Sequence, residues 1–167
     1  RSEIVKKYGM QAAVVVIDPF YLPEQAYLDH PAWRGPRCDH PRRSRDMYCS
    51  PCIDNEEVRG LYYEAMQRLC AEVDIGFFQI ITNDSGAGVC WSTGLYNGPN
   101  GPEACRKVSM ADRIVGFLQV LYDAARSQGR ETLIDITSDI FGYKAPEASM
   151  DAAWTSLKPG QLVTGRD

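Results

Sequence analysis

The amino-acid sequence predicts an α/β fold in which about three parallel strands are joined by two crossover helices as an incomplete (β/α) barrel, and three observations lead to it. Short, mostly β-branched or aromatic apolar runs at Ala12 to Ile17, Phe77 to Thr82 and Leu133 to Thr137 alternate with longer stretches whose apolar residues recur at helical spacing. The segments after the strands are long and those after the helices are short, the asymmetry of a sheet whose post-strand loops build a site. Each run also stops on or beside a carboxylate, at Asp18, at Asn83-Asp84 and at Ser138-Asp139, which gathers acidic residues along one sheet edge. A complete barrel takes about 250 residues, so a chain of 167 residues supplies part of one. The same three units also fit an open doubly wound parallel sheet, which is the alternative.

Taken in order, Ser2 to Tyr8 reads as the end of a helix closed by Gly9, feeding a first strand whose continuous apolarity suits burial on both faces. Asp18-Pro19 ends that strand, and residues 19–54, rich in Pro, Asp, His and Arg, form a loop far longer than the usual link of roughly two to six residues. Asp54 to Val73 reads as a helix. Asp54 with Glu57 makes a capping-box pattern, and Val58, Leu61, Tyr62, Ala65, Leu69, Cys70 and Val73 recur on one face. The strand Ile75 to Thr82 follows, then a second long loop, Gly-rich, over 83–108. Ser109 with Asp112 repeats the capping signal for a helix that carries Ile114, Val115, Phe117, Leu118, Leu121, Tyr122 and Ala125 and closes at Gly129. Leu133 to Thr137 is the third strand, and residues 1–167 are read as a single partial domain. Gln79 and Asp135 are polar residues inside strands, where each needs a hydrogen-bond partner.

An apolar content of 44% with 24% charged residues is ordinary for a globular chain with a sizeable core. The net charge of -4 gives no general attraction to nucleic acid or anionic lipid, and the basic cluster Arg37, Arg42, Arg43 and Arg45 is local, so neither a nucleic acid nor a membrane is expected as partner. No run approaches the roughly 20 apolar residues of a membrane span, and no charged and apolar leader precedes the first strand. The first residue is Arg1, and the chain is expected to be joined to the remainder of a longer one. Its composition assigns no location. Six cysteines are too few for a disulfide-stapled scaffold, although Cys90 with Cys105 would close one loop.

The stretch Thr82-Asn83-Asp84-Ser85-Gly86-Ala87-Gly88 is the strongest local signal, because its glycines allow close backbone approach while Asn, Asp and Ser offer polar groups at a strand terminus. The plain alternative is an Asx turn that ends the strand. The loop continues through Trp91, Tyr96, Asn97, Asn100 and Glu103, aromatic and amide groups of the kind that stack on and hydrogen-bond a sugar ring, and Tyr21 and Trp33 add aromatic surface from the first loop. Two carboxyl groups across a glycosidic bond are the minimum for acid and base roles, roughly 5 to 5.5 Å apart for retention or 6.5 to 9.5 Å for inversion. Neighbouring strands lie about 4.8 Å apart, so strand-end carboxylates fall in that range. Asp84 with Asp139 is the first catalytic pair, and Asp18 is the third candidate. Asn83, Trp91, Trp33, Tyr96 and Asn100 are the substrate-binding candidates.

The segment Phe77 to Asp84 followed by Ser-Gly-Ala-Gly, Cys-Trp-Ser and Gly-Leu-Tyr-Asn-Gly-Pro-Asn-Gly, together with His30-Pro31-Ala32-Trp33 and Asp54-Asn55-Glu56-Glu57-Val58-Arg59 before a helix, resembles barrel glycoside hydrolases. The nearest groups are α-glucuronidases and β-N-acetylhexosaminidases. The resemblance implies a barrel fold, a carbohydrate as partner and hydrolysis of a glycosidic bond, with no cofactor required. Its motifs are confined to the two long loops. The α-glucuronidase pattern has a catalytic glutamate after an Asp-Ser pair, whereas Asp84-Ser85 is followed by Gly86. The acid role therefore falls to Asp84, to strands outside this chain, or to no residue, in which case the chain is a non-catalytic carbohydrate-binding unit.

A separate expectation concerns Cys38, His40, Cys49 and Cys52, which contain the four ligands of a Cys₃His structural zinc site and give a zinc-stabilised interaction fragment as a further alternative. A Cys49–Cys52 disulfide and unlinked loop cysteines are the other readings. A catalytic cysteine with His30 or His40 as base lacks a nameable orienting partner. A phosphate cradle is disfavoured because the next helix begins about 20 residues after Gly88 rather than directly after the glycines.

Overall fold

The computed structural model describes residues 2–17, 22–38, 48–81 and 110–136. Their elements are α1 (Ser2–Lys7), β1 (Ala12–Ile17), α2 (Glu24–Asp29), a 3-10 turn at Pro31–Trp33, β2 (Arg34–Cys38), β3 (Tyr48–Pro51), α3 (Glu56–Glu72), β4 (Ile75–Ile81), α4 (Met110–Ser127) and β5 (Leu133–Ile136). The three apolar runs form one parallel sheet in the order β1-β4-β5. Val15 pairs with Gln79 and Gln79 with Asp135, so the two polar strand residues expected to need partners lie side by side in one row. Each strand neighbours the next parallel strand along the chain, and α3 and α4 are the two crossovers between them. This is the expected α/β architecture of consecutive β/α units.

Both helices cover the same face. Phe78 and Ile80 from β4 and Ile134 from β5 form one buried cluster with Met66 and Cys70 from α3 and Phe117, Leu118, Leu121, Ala124 and Ala125 from α4. The helices meet through Tyr62, whose ring stands edge-on to Phe117 with centroids 4.9 Å apart. Val14 and Val16 alternate with Ala13 and Val15 along β1, and only the former pair packs on the cluster. The opposite face is open at Val15, 51% exposed, and at Leu133, 37% exposed, so the burial of β1 on both faces expected from its apolarity is not found. On α3 Val58, Met66 and Cys70 are buried, Tyr62 and Leu69 pack on the cluster and Ala65 lines the apolar cavity beside them, whereas Leu61, expected on the same face, is exposed.

Two local expectations are corrected. The N-cap of α3 is Asn55, whose side chain accepts the Glu57 and Val58 amides, so the cap lies one residue beyond Asp54 and the expected capping box of Asp54 with Glu57 is not formed. The first long loop is not irregular throughout, since α2 and the antiparallel pair β2–β3 lie within it. Gly9 and Gly129 close α1 and α4 with φ near +69° and +68°, as the helix-ending glycines require.

The three helix-to-strand returns meet at the N-terminal edge of the sheet. Asp74, between α3 and β4, binds Lys6 of α1 and, at 3.0 Å, Arg130 after α4. Hydrogen bonding from Lys6, aided by the Arg130 charge, holds the Asp74 carboxyl below the usual carboxylate range against a smaller opposing effect of burial. Arg130 also donates to the Cys70 carbonyl, and buried Thr132 donates to the Ile75 carbonyl. These polar contacts tie the three returns together around a cavity lined by Lys6, Gln11, Asp74, Gly76 and Arg130.

Candidate functional site

The opposite edge is where the strands end. Ile17 pairs with Ile81 and Ile80 with Ile136, so the three chains leave the sheet side by side. Asp18 follows Ile17 directly, while Asp84 and Asp139 each come three residues after a strand's last residue. Asp18, Asn83, Asp84, Trp91, Tyr96, Asn100, His40 and Asp139 themselves lie outside the described residues.

Trp33 is the substrate-binding candidate that is described. Its ring stacks on His30 with centroids 3.9 Å apart and planes within 8°. Its indole N–H donates to Glu57 Oε2 in the first turn of α3. The Trp33 carbonyl accepts the Cys52 amide, and the Asn55 side chain reaches the Ala32 carbonyl at 3.5 Å. The indole is therefore fixed to the N-terminus of α3 at the loop end of the sheet. Tyr27 adds a second fastening by donating to the Cys49 carbonyl at 2.7 Å.

Beneath this loop lies an ionic cluster that the sequence reading missed. Asp54 Oδ2 accepts from Arg113 Nε at 2.7 Å, and the Arg113 side chain is wholly buried. Arg59 donates from Nε to the Ile53 carbonyl at 2.6 Å and places Nη2 3.6 Å from Asp54 Oδ1. Its guanidinium lies against Gly116, where an added Cβ would come within 2.7 Å of Nη2. A signal for Arg113 existed: it is in phase with Phe117 and Leu121, a charge on the apolar stripe of α4.

The metal-ligand candidates are divided. Cys49 is half-buried, and Cys52 is buried with Ile53 in the core cluster. Cys49, Cys52 and Cys70 are thiols, so the Cys49–Cys52 disulfide is not formed. Cys38 pairs with Tyr48 and Cys49 with Arg37, which puts the two cysteines in successive rows of the β2–β3 ribbon. Among the described residues no group of three or more potential ligands converges. Burial pushes the Cys70 thiol up, the opposite of what a reactive thiolate needs.

Solved structures with a similar layout include the GH36 alpha-galactosidase AgaA from Geobacillus stearothermophilus, at 19% identity and a TM-score of 0.45. Substituted forms of that enzyme in complex with 1-deoxygalactonojirimycin and with stachyose give 20% and 18% identity and TM-scores of 0.46 and 0.42. Each likeness covers 81% of this chain and 18% of the other, so the chain spans less than a fifth of those enzymes. TM-scores below 0.5 do not decide a fold, and the α/β class rests on the strand order and crossovers of this chain. No protein-family model and no curated protein matches it. No described helix is long and apolar enough to cross a membrane.

Proposed function

We propose that this chain is a glycoside hydrolase-like unit that holds a carbohydrate between its two long loops. The observation that supports the reading is the parallel register, which brings the ends of β1, β4 and β5 to a single edge of the sheet, and an acidic residue follows each of those ends in the sequence. Asp84 is the proton donor or the carboxylate that orients the reacting sugar, and Asp139 or Asp18 is its partner. Trp91 and Tyr96 stack on the sugar, Trp33 is a prefixed wall of the same site, and Asn83 and Asn100 bind hydroxyls. The sugar enters as an uncharged polar ring, so affinity comes from stacking and hydrogen bonds rather than from the net charge of the chain.

The test is a screen of aryl glycosides and free sugars against the chain, followed by Asp84→Ala. Loss of turnover by about 10²-fold or more, the scale of a general acid, with an unchanged thermal midpoint supports the assignment. Undiminished turnover in a normally folded variant removes it. Sugar binding without turnover in the parent chain leaves a carbohydrate-binding unit that lacks a working acid and base.

A further inference from the structure

We infer that Asp54 is a positioning residue: its carboxylate fastens the end of the first long loop to the start of α4, and so fixes how the two loop-bearing segments stand relative to each other. For its effect on sugar binding the inference rests on the proposal above; the fastening itself does not.

Asp54 is the last residue before the Asn55 cap of α3, and so closes the first loop. Arg113 lies in the first turn of α4, the helix that opens where the second loop ends. Their contact at 2.7 Å therefore joins the roots of both loops across the helix pair. Removing a guanidinium from water is costly unless a carboxylate meets it with good geometry, and with the Arg113 side chain wholly buried the pairing constrains Asp54 to one place. Arg59 steadies the same carboxylate from the α3 side. It is held by the Ile53 carbonyl, and its guanidinium end lies beside Gly116. The apolar helix contact at Tyr62 and Phe117 lies farther from the loops, so it aligns the helices without specifying the loop roots. Trp33 depends on this anchoring through the short span from Cys52 to Glu57, which also carries Asp54.

The experiment is hydrogen exchange by mass spectrometry on the full chain, parent against Asp54→Asn, a change that keeps shape and removes charge. Exchange in peptides covering residues 22–38, 48–55 and the first turn of α4 is expected to rise about tenfold or more, with β1, β4, β5 and the second halves of α3 and α4 at parent rates. Unchanged exchange in the loop peptides, or a uniform rise that includes the strands, overturns the inference. Should Asp54→Asn not fold, Asp54→Glu decides: it keeps the charge but moves the carboxylate by one methylene away from its 2.7 Å contact with Arg113, and it is expected to give the same confined pattern in weaker form, whereas no change in the loop peptides overturns the inference. Sugar affinity is measured on the same proteins. Loosened loops in a chain whose parent binds no sugar overturn the carbohydrate proposal and leave the fastening standing, while loosened loops with parent-like affinity refute the role of Asp54 in binding.

Discussion

Single residues divide the two ends of the sheet by the kind of work their charges do. Asp74 is shared by Lys6 and Arg130 at the end where helices return to strands. With its folded pKa lowered, the stability it contributes is fully present above the unfolded carboxylate value near 3.9. It is lost as pH falls through the folded pKa. Asp74→Asn is therefore expected to lower the urea midpoint at pH 7, with the gap from the parent narrowing as the pH is taken below about 4. A gap that stays constant down the acid limb would show that Asp74 does not act through its charge. At the loop end Asp54 meets a wholly buried partner and fixes the position of the first loop's end.

At the scale of elements, α3 shows how one short sequence serves three tasks. Asn55 caps it, Asp54 takes Arg113, and Glu57 takes the Trp33 indole. The acid expected three positions into the helix thus reaches the preceding loop instead of the backbone. Asn55→Ala removes the acceptor for two amides and is expected to cost about 1 kcal/mol, measured by urea unfolding, with the helix content of the folded state unchanged. A loss below a few tenths would mean that Asp54 moves in as a substitute cap. The β2–β3 ribbon escaped the sequence reading for a physical reason. Arg-Gly-Pro-Arg-Cys and Tyr-Cys-Ser-Pro show no apolar alternation, and each carries a proline that cannot donate to a ladder.

For the whole molecule, the three strands and two crossover helices were legible because each is specified by burial: β-branched runs for the sheet, and a repeating apolar stripe for each helix. The side of the sheet that carries the loops was legible for the same reason, as parallel strands put all their ends at one edge. The partners of Trp33 and the burial of Arg113 were not, since both depend on which polar groups meet across distant segments, and spacing along the chain carries no such information. The open face follows from the architecture: with both helices on one side, Val15 and Leu133 stand exposed on the other. A native-state dye that fluoresces on apolar surface is expected to bind there, and to lose most of its signal in a Val15→Lys, Leu133→Lys double variant whose thermal midpoint is little changed. Undiminished fluorescence would place the apolar surface elsewhere.

The strand order also has a consequence in time. Because β1 pairs with β4, and β4 then with β5, each of these strands pairs with the next described parallel strand to be made. During synthesis, β1, α3 and β4 can assemble while α4 is still inside the ribosome, and each later unit adds to a template already formed.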